Sequence, residues 1–232
     1  MIKNLWLKMP SSWIRGGVLK QLKWSNDEVG TPAAKVAALQ LYYTIAMTLE
    51  PVELPEGFGT GGVHYVSSAT FNRFRSLTGL SRASISAGLE LLVQLALIKR
   101  YREGKKCFYG ISGYVPGGGG WCKVPVRKIV GPCGEVKPFH QFSLRKKVEL
   151  YAMKFYLYIC AVRDNNTEGT YTSFETINRM TGIPEKDIPS TYSFLIGIGL
   201  ISRVEKGDDN SIEPAKRANT YYVTGSRDLF VK

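Results

Sequence analysis

Several large functional classes are excluded by what the sequence lacks. It has no run of roughly 18 apolar residues, so no membrane-spanning helix is expected. The opening stretch, Met1 to Trp13, has no long apolar core of a secretory signal. A soluble cytoplasmic protein without a membrane partner is therefore expected. The only histidines, His64 and His140, are too distant in sequence to form a His-x-His metal pair. The four cysteines, Cys107, Cys122, Cys133 and Cys160, contain no Cys-x-x-Cys pair, and outside a secretory context they are expected as free thiols. Cys133-Gly134-Glu135-Val136-Lys137-Pro138 looks like one half of a zinc knuckle. Val130 stands where its paired cysteine would be, and Cys122 with His140 has no familiar ligand spacing, so no metal or other cofactor is expected. A Gly-x-x-x-x-Gly-Lys-Ser/Thr phosphate loop is missing too, because Gly117 to Gly120 is followed by Trp121-Cys122. Tyr42-Tyr43 and Tyr221-Tyr222 fall on an apolar helix and a returning strand, which suits core packing better than nucleophilic catalysis. No catalytic constellation is left, and a non-enzymatic protein is expected.

Acid is also scarce. Asp plus Glu number 19 against 31 Lys plus Arg, a net charge of +12. Such an excess points to a polyanionic partner, because neutralising phosphates releases condensed counterions whatever the base sequence.

What the chain does have is a repeat. Phe71, Leu77, Thr78, Gly79, Leu80, Ile85, Leu92, Leu97, Ile98 and Gly104 are matched in type by Phe174, Met180, Thr181, Gly182, Ile183, Ile188, Leu195, Leu200, Ile201 and Gly207, at a constant spacing of 103 residues. The pattern reads as a helix, a tight Thr-Gly turn, a second helix capped by Ser81, a strand from Leu97 to Arg102, a basic turn at Glu103 to Lys106 and a returning strand from Cys107 to Ile111. Helix, turn, helix and basic hairpin describe a winged helix. In the second copy the strands are expected at Leu200 to Glu205 and Thr220 to Thr224, with an extended wing over Lys206 to Asn219. An apolar helix precedes each copy, around Val36 to Ala46 and Leu150 to Cys160, and Leu7-Lys8-Met9-Pro10 faces Cys122-Lys123-Val124-Pro125 further upstream. The expected fold is α+β, with winged-helix domains at 1-112 and 121-232 joined by a flexible Gly-rich linker at 113-120. Glu50 to Gly62 reads as an acidic surface loop that avoids phosphate.

The candidate DNA-binding residues follow from this layout. Arg82, Ser84 and Ser86 lie on the first turns of the second helix, away from the Ile85-Leu89-Leu92 stripe, where Arg can read guanine and Ser can bond bases or phosphates. Arg73 and Arg75 on the preceding helix, and Lys105 and Lys106 in the wing, fall where flanking phosphates are expected. In copy two the equivalent turn carries Glu185, Asp187 and Pro189, so groove reading is expected mainly from copy one. The positive charge of copy two instead precedes its helical pair, at Lys123, Arg127, Lys128, Lys137, Arg145, Lys146 and Lys147.

The Lys-Val-Pro lead-in, the apolar helix, the Thr-Gly-Leu-Ser turn and the Leu-Ile-Lys-Arg strand resemble the winged helices of plasmid and phage replication initiators and replisome organisers. The likeness spans both halves and is most specific from Leu77 to Arg100. It implies a site-specific binder of double-stranded DNA, often acting as a dimer. Two other classes fit the same motifs. One is a DNA-reading subunit of a larger nucleoprotein complex, such as an RNA-guided (CRISPR-type) effector, and the other is a transcriptional repressor.

Overall fold

The computed structural model describes residues 5–54, 62–115, 117–164, 166–207 and 218–230. Among these residues the fold is α+β, with three small sheets around two central helices. In chain order the elements are β1 (Trp6–Pro10), α1 (Ser12–Arg15), α2 (Pro32–Met47), β2 (Glu50–Leu54), β3 (Gly62–Ser67), α3 (Phe71–Thr78), α4 (Arg82–Gln94), β4 (Ile98–Glu103), β5 (Lys106–Ile111), β6 (Trp121–Pro125), α5 (Lys147–Val162), β7 (Thr170–Thr172), α6 (Phe174–Thr181), α7 (Ile188–Gly197), β8 (Ile201–Glu205) and β9 (Asn219–Val223), with short 3-10 turns between them. None of these helices is long and apolar enough to cross a membrane.

The repeat is visible in local geometry. Thr70 and Ser173 cap α3 and α6 by accepting the N–H of Arg73 and Thr176. Thr78 Oγ1 donates to Phe74 O and accepts from Leu80 N, and Thr181 does the same with Ile177 and Ile183. Gly79 and Gly182 end the helices at φ +76° and +69°, the left-handed region that disfavours side chains. The Thr-Gly signature is thus one turn built twice.

Copy one carries seven more residues than copy two between its central helix and the strand before its helical pair, 48–61 against 163–169. The sheet order β2-β3-β5-β4 against β7-β9-β8 shows where they go, since β2 has no counterpart. The segment read as an acidic loop therefore supplies a strand, Glu50–Leu54, paired with Gly62–Ser67. Residues 55–61 and the outer part of the copy-two wing, 208–217, lie outside the described residues.

The packing joins the two copies closely. β1 pairs antiparallel with β6 in a register symmetric about Lys8↔Lys123, from Trp6↔Pro125 to Pro10↔Trp121. Gly120 O accepts the N–H groups of Ser11 and Ser12, which ties the end of the glycine run to copy one. One hydrophobic cluster takes in residues from both copies. At its centre α2 and α5 are buried on nearly every side, Ala34 to Ala46 and Glu149 to Ala161, because each is sandwiched between its own helical pair and the other copy. The adjacent Tyr42 and Tyr43 donate to Pro10 O at 2.9 Å and Pro125 O at 2.8 Å, so one helix holds the ends of both paired strands.

Full burial of these helices takes two lysines inside. Lys35 Nζ reaches Asp27 Oδ1 at 2.7 Å and the carbonyls of Lys23 and Ser25. The ammonium on its own face holds the Asp27 carboxyl down at about 2. Lys154 Nζ donates to Leu22 O at 2.9 Å across the two copies. Burial, followed by the nearby Lys35 charge, pulls Lys154 down to about 7.

Two measurements test this packing. Cleavage within 117–120 should leave fragments that co-elute as one folded species at neutral pH; separation of the fragments would mean the shared core does not hold them. Lys154 is charged in both states below about pH 7. Between there and roughly pH 10 the unfolded chain keeps a proton the folded one has lost, so its contribution to stability rises with pH. The parent chain should thus gain about 1 kcal/mol of stability per pH unit relative to Lys154→Met from pH 7 to 9. A constant difference would place the lysine in a solvated setting.

Candidate nucleic-acid interface

In copy one, α3, α4 and the β4–β5 hairpin enclose a cleft of about 630 Å³. Its lining brings together Arg82 from the start of α4, Lys105 and Lys106 from the hairpin turn, and Asn72 from α3, over a floor that includes Phe71, Phe108 and Tyr109. Arg82 is aimed by local contacts. Its Nη1 donates to Asn72 Oδ1 at 3.2 Å, and its guanidinium lies 5.6 Å from the Phe71 ring centroid. The hairpin turns at Gly104, φ +56°, with Glu103 opposite Lys106, so Lys105 stands at the tip.

α4 is seated by a close approach. A Cβ on Gly88 would stand 2.7 Å from Leu41 Cδ1 and 2.9 Å from Ala38 N, so only glycine lets the helix sit so near α2. Ser81 accepts the N–H of Ser84, and the Ser81 and Ser84 hydroxyls are 2.9 Å apart. Ser86 Oγ reaches Glu90 at 3.5 Å. Both candidate serines are half-buried and locally engaged, whereas Arg82 is exposed.

The remaining candidates are spread out. Arg73 and Arg75 are exposed on α3, and Arg73 Nη1 turns to Cys133 O of the copy-two lead-in at 3.3 Å. Lys123 lies in β6 and donates to Leu229 O at 2.8 Å, 4.5 Å above the Trp6 ring, so it is committed within the fold. Arg127 and Lys128 follow β6 and are exposed. Arg145 and Lys146 are exposed beside the start of α5, where their N–H groups bond the buried Glu149. Lys147 is held by Asp187 at 3.0 Å, which raises its pKa. The run read as one basic lead-in thus divides into the β6 strand and the α5 start.

Sequence reasoning missed three groups. Arg100 and Arg102 stand opposite Tyr109 and Cys107 in the β4–β5 ladder and are exposed beside the cleft without lining it. The alternation Ile98-Lys99-Arg100-Tyr101-Arg102 was a signal that could have found them. Glu50, in the segment expected to avoid phosphate, also lines the cleft and accepts a hydrogen bond from Ser68.

Copy two forms the equivalent cleft, about 500 Å³, lined by Phe174, Pro189, Tyr192, Lys206, Gly207 and Asn219. Its charge is different. Over Phe71–Ser86 copy one carries Arg73, Arg75 and Arg82 with no acid, while Phe174–Pro189 carries Arg179 and Lys186 against Glu175, Glu185 and Asp187. The helix itself starts at Ile188 with Pro189 in its first turn, where the missing N–H breaks no helical hydrogen bond.

Cys122 is buried in β6, with its thiol pushed up to about 12 by burial, and Cys133 is exposed. His140 Nε2 lies 3.2 Å from Ser76 O. Among the described residues no group of three or more His, Cys, Asp or Glu side chains comes together to hold a metal.

Gly88→Ala should push α4 off α2 and lower stability by about 1–3 kcal/mol, read as a shift in the urea midpoint; an unchanged midpoint would mean the helices separate freely. No protein-family model, no curated protein and no solved structure matches the chain.

Proposed function

We propose that this is a non-enzymatic protein that binds double-stranded DNA through winged helices and acts as an origin binder of the plasmid or phage replication initiator type. One observation carries the reading: Arg82 of the second helix and Lys105 and Lys106 of the hairpin share a single cleft with Asn72. In that arrangement α4 enters a major groove with Arg82 foremost, and the hairpin cations, joined by Arg100 and Arg102, hold the adjacent phosphates. The net charge of +12 supports a large sequence-independent share of the affinity.

The copies divide the work on this reading. Copy one has the basic helical pair and reads sequence. Copy two keeps the same helix-turn-helix order with acids at the corresponding positions, so its helical pair positions the chain or docks on protein. That reversal favours a second reading, in which the chain is the DNA-reading subunit of a larger nucleoprotein complex or a repressor whose copy-two face meets another subunit.

Binding to duplex DNA across a salt series should weaken steeply, each neutralised phosphate adding about 0.9 to the log-log slope. Arg82→Ala should cost about 1–3 kcal/mol on the preferred site and relax specificity, with Lys186→Ala nearly neutral. A flat salt dependence would end the DNA reading, and a larger loss from Lys186→Ala would exchange the roles of the copies.

A further inference from the structure

The outward face of the β1–β6 ribbon has a construction unlike the rest of the fold. Trp6 and Trp121 are half-exposed, and their rings lie within 6° of parallel with centroids 6.5 Å apart. The other aromatic pairs recorded among the described residues are edge-on or tilted, as core packing favours. Lys8 Nζ stands 4.5 Å from the Trp121 centroid, and Lys123 Nζ stands 4.5 Å from that of Trp6.

Lys8 and Lys123 are also register partners. Like charges directly across a ladder are destabilising, and neither Leu5–Pro10 nor Trp121–Lys128 contains an acid to offset them. Arg127 and Lys128 extend the positive charge just beyond β6, where the Lys128 stem lies against Gly225. The carboxylate of Glu168 is taken up by Ser226 and Arg227, and Asp228 Oδ2 is buried. A ribbon whose only task was to join the copies would not need paired cations at its centre. An anion lying across it removes their repulsion.

From this geometry we infer that the β1–β6 face is a binding platform for single-stranded nucleic acid, separate from the wing cleft of copy one. Parallel, half-exposed indoles offer π-faces on which unpaired bases stack whatever their identity, and Lys8, Arg127 and Lys128 take the backbone phosphates. Duplex DNA keeps its bases inside the stack, so it cannot use the indoles.

The test uses the full chain with fluorescein-labelled oligo(dU) and oligo(U), which differ only in the sugar and do not pair with themselves. Both the anisotropy of the label and the intrinsic tryptophan fluorescence are followed. Binding with quenching is expected, and the better of the two oligomers identifies the sugar. Trp6→Leu and, as the variant least able to disturb the fold, Lys8→Gln should each weaken oligomer binding about fivefold or more, with duplex binding unchanged. Arg82→Ala should do the reverse, so a failed duplex reading leaves this inference standing and the converse also holds. The inference is overturned by absence of oligomer binding at low salt, by Trp6→Leu and Lys8→Gln binding like the parent chain, or by oligomer binding lost through Arg82→Ala instead. Binding of the face to vesicles of anionic lipid but not to oligomers would likewise overturn it.

Discussion

Because Trp6–Pro10 and Trp121–Pro125 run antiparallel, the lead-in that follows each strand leaves the ribbon towards the other copy's helical pair. The consequence appears at the two Thr-Gly turns. His140 of the copy-two lead-in lies over Gly79, where a Cβ would stand 3.0 Å from its Nδ1, and Lys20 of the copy-one lead-in lies over Gly182 at 3.3 Å. Val136 N donates to Leu77 O at 2.8 Å on the same exchanged path. Each glycine therefore answers to two constraints, the left-handed backbone of its own turn and the close approach of a segment from the other half.

Local chemistry was legible in the sequence because it repeats in local residue types. Ser81 as cap and Thr-Gly as turn act within four residues, and each stands where its chemistry requires. The exchange of lead-ins was not legible. It depends on a strand pairing over more than a hundred residues, and the glycine run that suggested a flexible joint carried no sign that Gly120 O would accept two N–H groups of copy one. Ala96 shows the same limit on a smaller scale. At φ +54° it fills the left-handed position after α4 that Gly199 fills after α7, and an alanine there reads from sequence as continuing helix. Arg100 and Arg102 were missed for another reason: a charged strand was read for its hairpin, and the sheet face its side chains share was not followed.

The charge difference between the copies rests on a conserved backbone frame within the chain. α3 and α6 have equal lengths and equivalent caps, and both copies form a cleft between helical pair and hairpin. The exposed side chains on that frame differ: Arg82 is replaced by Glu185, in a 3-10 turn before the shorter α7, and Arg73 and Arg75 by Thr176 and Asn178. Folding constrains the buried positions, which match across the copies in type. The exposed positions are free of that constraint, so on the proposed reading their divergence reports a division of roles.

A shared core also changes what the arrangement can do with a long anionic partner. Two domains on a loose tether would have to order their relative placement on binding, and the lost freedom would oppose affinity. Here α2 is wedged between its own α4 and the paired strands, Tyr42 and Tyr43 hold one strand each, and Lys154 reaches across to Leu22 O. The wing cleft of copy one and the β1–β6 face are therefore presented at a spacing set before any ligand arrives. Preorganisation of this kind favours a partner whose own geometry matches that spacing and penalises one that does not, so on the proposed reading part of the selectivity resides in α2 and the ribbon, far from the side chains proposed to meet DNA.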